Sequence, residues 1–345
     1  MSSEKTQVVQ EDLNRGLEER HIQLIALGGA IGVGLFLGSA SAIEKAGPGV
    51  VAAYIIAGIA IFFVMRAMGE ITIEYPVSGS FSAHAYQFLN PLAGYVSGWN
   101  YWYVWVVTCM AEITAVGVYV HLWLPDLPQW ISCLCALALM TCANLISVKA
   151  YGEFEFWFAL IKIVTIIFLI ITGAGMIFFG LGNDGVAVGI SNLTQHGGFF
   201  PHGFGGVFDT MLMVLFAYVG IEVIGVTAGE AANPEKTLSA AIDKVLYRIL
   251  LFYVLALLVI MSIYPWDQLG HQGSPFVMVF EKLGISGAAH VINFVVITAA
   301  LSSCNSGIYS TGRMLYNLSL QGKAPKTFST VSKQKVPYKA LCMSV

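Results

Sequence analysis

The chain has 345 residues, of which 57% are hydrophobic and only 11% charged, and its mean hydropathy is +0.74. Soluble domains carry about 25% charged residues, so this chain cannot clothe a water-facing surface. A net charge of −3 without a dense basic run excludes nucleic acid as a partner. The six cysteines show neither metal-ligand nor disulfide-framework spacing. Composition therefore predicts an all-α or barrel protein whose first partner is the lipid bilayer.

A helix needs roughly 20 mostly apolar residues to cross a hydrocarbon core about 30 Å thick. In chain order, apolar runs predict eight spans: 22–44, 49–69, 92–121, 129–147, 154–180, 204–229, 245–264 and 286–316. The runs are continuous, unlike the alternating ten-residue segments of a barrel. An all-α polytopic membrane protein is the expectation. Residues 1–21 are polar and read as a cytoplasmic tail, with no cleavable signal peptide expected. Lys5, Arg15, Arg20, Arg66, Lys149, Lys236, Lys244, Arg248, Arg313 and the basic tail after it share one side, against only Lys45 and Lys282 on the other. By the positive-inside rule the N-terminus is cytoplasmic. Lys162 is left over as the one basic side chain expected within a span. Residues 317–345 read as a cytoplasmic segment followed by the approach to a ninth span at Val336-Pro337-Tyr338.

Two spans carry interruptions. Span one contains Gly28-Gly29-Ala30-Ile31-Gly32-Val33-Gly34, and span six contains Tyr218-Val219-Gly220-Ile221-Glu222. Glycine costs about 1 kcal/mol against alanine inside a helix, and loosened backbone survives in a bilayer only against protein or a cavity. Close helix packing through Gly28 and Gly32 is the competing account. Each interrupted span opens a five-helix set, however, and interruptions at matching places in two inverted halves point to a transporter's binding site. Amides freed at a half-helix start suit a carboxylate, and unwound carbonyls suit an ammonium. An amino acid offers both on one carbon.

Several motifs carry a resemblance: Arg15-Gly16-Leu17 with Arg20-His21-Ile22, the glycine run through Phe36, Ala46-Gly47-Pro48, Met68-Gly69-Glu70, Gly152-Glu153-Phe154-Glu155-Phe156-Trp157, and Ala228-Gly229-Glu230 with Asn233-Pro234-Glu235. By these the chain resembles the amino acid permeases of the amino acid–polyamine–organocation superfamily, in the bacterial amino acid transporter branch. Proline and threonine/serine permeases are nearest in character. The resemblance implies a five-plus-five inverted-repeat fold of twelve spans in a bacterial inner membrane. Residues 22–180 would form the first repeat, and 204–316 the first three helices of the second. The chain then reads as truncated after its eighth span, a product expected to insert yet transport poorly.

The resemblance also implies roles. Ile31, Gly32, Val33 and Gly34 would meet the substrate carboxylate through their backbone. Carbonyls at Ala30 and around Phe216, Ala217, Tyr218, Val219 and Gly220 would meet the amino group, with Phe216 as an aromatic cover. Lys162 matches a span-five lysine that takes the place of sodium in proton-coupled relatives, with Ser302 and Ser303 as its span-eight partners. Glu222 would hold the broken sixth span in shape, and Glu112 would either carry protons or pair structurally, intramembrane acids being costly and usually functional. Asp209 is expected to be solvated, and Glu230 to begin the loop after span six. No cofactor and no metal site is implied, and the phosphate-cradling motif of an ATP-driven pump is missing from the sequence. The expected function is import of a small neutral L-amino acid by proton symport. Exchange without net proton coupling, or an inactive truncated permease, is the alternative; a channel or membrane enzyme fits the residues less well.

Overall fold

The computed structural model describes residues 13, 17–29, 31–77, 79–230, 249–269, 274–285 and 287–345. Every regular element among them is helical. The first interrupted span is three helices in line: α1 (Glu19–Gly28), α2 (Val33–Phe36) and α3 (Gly38–Ala46). Gly47, at φ 59°, closes α3, and Pro48 starts the turn into α4 (Val50–Glu74). Then come α5 (Ser80–Phe88), α6 (Pro91–His121), α7 (Gln129–Ile146) and α8 (Val148–Phe179).

Local chemistry sets these ends. Asn90 accepts the amide of Ala93 at 2.8 Å with Pro91 in the first turn of α6, a side-chain cap of the usual kind. Ser147 does the same for Ala150 at 3.1 Å and starts α8. Left-handed Gly180 ends α8. The second half contains α9 (Gly203–Asp209), α10 (Met211–Ala217) and α11 (Val223–Thr227). A wide-turn helix over Ile249–Leu255 continues into α12 (Ala256–Ile263), followed by α13 (Pro275–Lys282), α14 (Ala288–Leu320) and α15 (Tyr338–Met343).

Five helical segments among the described residues are long and apolar enough to cross a membrane: Gly38–Glu74, Pro91–His121, Gln129–Ile146, Val148–Phe179 and Ala288–Leu320. The sequence predicts eight spans. Spans one and six are divided by their interruptions, and the start of span seven lies outside the described residues. The fifth span starts at Val148 rather than 154, because Ser147 caps it there. Lys162 is therefore about 21 Å from the helix start at 1.5 Å per residue, deeper than a start at 154 would place it.

The core is built around α14, buried from Asn293 to Ser319 with few breaks. It packs most extensively against α6 and next against α8. The outer faces of α6 and α8 carry Tyr103, Met110, Val164, Ile171 and Phe178, all exposed, as a lipid-facing surface requires. The N-terminal tail is not wholly peripheral: Leu13 and Leu17 are buried, and the Leu17 amide donates to the Glu230 carbonyl at 3.3 Å. Val336-Pro337-Tyr338, where the approach to a ninth span is expected, leads into the short helix α15, which lies on α14 with Ala340 and Leu341 buried.

Candidate functional site

The first interruption is bounded by residues with different neighbours. Gly28 closes α1 against α8, where an added methyl would overlap Ala159. That glycine serves close helix packing. Gly32 faces another element: a Cβ there would stand 2.7 Å from Oε1 of Glu112 and 3.3 Å from the Ser303 hydroxyl. A Cβ on Gly34 would reach the Cα of Ala217 at 3.0 Å, so the later half of span one and the earlier half of span six touch backbone to backbone. Ile31 and Val33 are buried; Ala30 lies outside the described residues.

The second interruption runs from Tyr218 to Glu222, with Gly220 at φ 111°, a conformation that favours glycine. Glu222 holds it. One carboxylate oxygen accepts the Gly220 amide at 2.9 Å, and the other accepts Tyr101 and Trp105 of α6, each at 3.1 Å. A carboxylate buried in a membrane protein is costly unless donors satisfy it; here three donors from two elements do so. The freed carbonyl of Ala217 accepts the Tyr253 hydroxyl at 2.9 Å, and that of Phe216 accepts the Val219 amide at 3.1 Å.

The predicted residues around this break do not all face one place. Phe216 lines a cavity of about 420 Å³ with Val33, Gly34, Leu37, Gly38, Ser41, Leu212 and Met213. Tyr218 is buried on the other side, its hydroxyl on the Tyr54 carbonyl at 2.9 Å and its ring against Tyr54 and Tyr253. Asp209 is exposed, as expected.

Beside the first interruption lies a buried polar line joining α1, α8 and α14. The Lys162 ammonium donates to the Gly28 carbonyl at 2.5 Å and to the Ser302 hydroxyl at 2.9 Å. Ser302 in turn donates to Oε1 of Glu155 at 2.5 Å. Asn305 reaches the other oxygen of Glu155 at 3.4 Å, and Asn144 of α7 orients Asn305 through its side-chain oxygen at 2.7 Å. Ser303 departs from expectation. Its hydroxyl lies with Oε1 of Glu112 beside Gly32, whereas the Lys162 ammonium meets Gly28 and Ser302. The second Glu112 oxygen, Oε2, is buried without a hydrogen-bond partner among the described residues. Glu112, Glu155 and Lys162 thus share one water-excluded region.

Two residues depart further from their predicted places. Glu230 is fully buried rather than at the start of an exposed loop, and Arg313 is buried inside α14, so Lys162 is not the only basic side chain within a span. Arg313 donates from Nε and Nη2 to the two Glu230 oxygens at 3.0 and 3.1 Å, the paired geometry that suits a guanidinium. Tyr309 adds its hydroxyl to Glu230, lies under the guanidinium at 3.8 Å and stacks on Tyr151 at 4.0 Å. The sequence reading carried Glu155 only as a motif letter and Glu230 only as the start of a loop. The available signal was spacing: Glu155 stands two turns before Lys162, and Ser302, Asn305, Ser306, Tyr309 and Arg313 repeat along one side of α14. The motif pair Arg20 and Glu153 is an ion pair at 2.5 Å between α1 and α8.

Comparison with known proteins adds a lineage to this geometry. A family profile described as "Amino acid permease" matches residues 21–345. A Bacillus subtilis strain 168 protein named "Uncharacterized amino acid permease YtnA" is 63% identical over 334 residues, covering 97% of this chain and 72% of the relative. "Probable threonine/serine transporter YbxG" of the same strain is 57% identical over 327 residues, 95% of this chain and 71% of the relative. "Aromatic amino acid transport protein AroP" of Escherichia coli K12 is 48% identical over 334 residues, 97% of this chain and 73% of the relative.

Proposed function

Because the chain belongs to the amino acid permease family, we propose that it imports a neutral L-amino acid by proton symport across a bacterial inner membrane. The substrate sits at the two interruptions, which alternate in access between the two sides. Its carboxylate meets the backbone of Ile31, Gly32, Val33 and Gly34, and its ammonium meets carbonyls near Ala30 and Val219. A carboxyl group, that of Glu112, already stands at this turn, its Oε1 2.7 Å from where a Cβ on Gly32 would lie, which supports this polarity. The cavity beside Val33 and Phe216 is lined almost wholly by apolar side chains, and this favours a neutral substrate. The names of YbxG and AroP also concern amino acids without a charged side chain.

The N-terminus is cytoplasmic, following the basic residues, and α1 to α8 form the first of two inverted five-helix repeats. Lys162 carries the coupling proton. The observation that carries this reading is its ammonium held between the Gly28 carbonyl at the interruption and Ser302 of α14. A cation at that place ties the state of the broken helix to a single ionisable group. Glu222 has three donors and a structural task, so it needs no cationic substrate to balance it.

The test is uptake by reconstituted protein under an inward proton gradient, with and without sodium, challenged by a panel of the twenty amino acids. Uptake is expected to need no sodium and to be inhibited by neutral amino acids. Lys162→Ala is expected to lose accumulation against a gradient. A sodium requirement, or a Lys162→Ala protein that still concentrates substrate, would overturn the coupling assignment.

A further inference from the structure

The line from Lys162 does not end at Ser302. We infer that Glu155 is the second proton station of the transport cycle, receiving the coupling proton from Lys162 through the Ser302 hydroxyl. The inference rests on the proton-coupled reading above, and it assigns work to an acid that the resemblance leaves without a role.

The geometry is that of a two-step hydroxyl relay. Lys162 donates to Ser302 at 2.9 Å and Ser302 donates to Glu155 at 2.5 Å. Both hydrogen bonds point the same way, from ammonium to carboxylate. In the transfer an Nζ–H bond of Lys162 breaks as its proton joins the Ser302 oxygen, while the original Ser302 proton passes to Oε1 of Glu155. The serine ends as it began. An ammonium and a carboxylate become an amine and a carboxylic acid, so no net charge is created or moved into the low-dielectric interior, where an isolated ion is very costly.

The groups around the relay are fixed. Ser302 and Asn305 come from α14, and Asn144 from α7 holds Asn305. The only other ionisable group acting on Lys162 from a packed element among the described residues is Glu112 of α6. Along α8, Glu155 lies toward the Val148 end and Lys162 about 10 Å further in, at 1.5 Å per residue. The Val148 end carries the basic residue Lys149 in its first turn. A proton moving from Lys162 to Glu155 therefore travels toward the side that the basic residues mark as cytoplasmic. Glu155 then releases it when that side opens, and Lys162 takes another from the opposite side.

The experiment is simultaneous measurement of proton entry and amino acid entry in liposomes loaded with a pH-sensitive dye, giving the number of protons carried per substrate. A merely structural role would lower both fluxes in proportion and leave the ratio unchanged. Glu155→Gln keeps the size and hydrogen-bonding shape of the side chain but cannot cycle a proton, so its ratio is expected to collapse. Ser302→Ala is expected to collapse it too, and Ser302→Thr, which retains a hydroxyl, to restore it. If Glu155→Gln does not fold, the serine pair decides by the same ratio. A parental ratio in Glu155→Gln or in Ser302→Ala would overturn the relay. Should Lys162→Ala lose coupling while both of those keep it, the relay alone fails. If Lys162→Ala also stays coupled, the assignment of the coupling proton to Lys162 fails with it, and a parental protein that admits substrate with no proton entry would overturn the proton-symport reading itself.

Discussion

Arg313 and Glu230 bind one another inside the protein with both side chains almost wholly shielded from solvent. Removing one partner strands the other charge, which typically costs about 3–5 kcal/mol. Arg313→Met should therefore lower the thermal unfolding temperature of detergent-solubilised protein sharply. The double variant Glu230→Gln with Arg313→Met should recover much of the loss, because it leaves no bare charge behind. An additive double variant would show that the two residues do not act as a pair. At Gly34 the argument is steric: there is room for no branched side chain where Ala217 backbone stands 3.0 Å from an added Cβ. Gly34→Val should abolish uptake while the protein still reaches the membrane, as should Gly32→Pro at the neighbouring interruption. Parallel loss of insertion and uptake would instead mean that these glycines serve packing alone.

At the level of the helix, α6 acts as a brace across the sixth span. Tyr101 and Trp105, one turn apart, both donate to the carboxylate that stops the helix at Gly220. Replacing either by Phe leaves a buried acceptor short of a donor, at a cost of about 1–3 kcal/mol. Each variant should weaken substrate binding as well as stability, read by labelled amino acid binding and thermal unfolding on the same sample. Unchanged affinity in the double variant would argue that the turn holds its shape without α6. The interruptions themselves were legible in the sequence because glycine clusters are conspicuous inside apolar runs, and so was Lys162, a lone charge deep in one. Side-chain direction was much less legible. Successive residues on a helix turn by about 100°, so Ser302 and Ser303 could not both face Lys162, and one of them meets Glu112. The same rotation separates Phe216 at the cavity from Tyr218 in the packed interior. Glu230 and Arg313 were missed for another reason: they are 83 positions apart, and only the folded packing of the sixth span on α14 reveals them as partners.

Over the whole molecule, the described residues hold five long apolar helical segments, the first of which, Gly38–Glu74, turns at Gly47–Gly49, together with the shorter pieces of the interrupted spans. Apolar length alone counts membrane crossings well only where a helix is unbroken. The most buried of the five, α14, is also rich in polar side chains: it holds Asn293, Ser302, Ser303, Asn305, Ser306, Ser310, Arg313 and Asn317, all hidden from solvent in the finished protein. During synthesis no such shelter exists. A segment with this composition leaving the ribosome meets lipid as an unwelcome solvent, since an arginine deep in a lone helix costs about 2.5–3.5 kcal/mol on biological insertion scales. Its natural refuge is the groove between α6 and α8, both made earlier. The consequence is an order of assembly: α14 enters the bilayer as a guest of helices already there. In a reporter assay of translocon-mediated integration, α14 alone should integrate poorly, and better when α6 to α8 precede it. Arg313→Leu should raise the integration of the isolated segment even though the loss of that arginine weakens the completed fold, setting the needs of the nascent chain against those of the mature one.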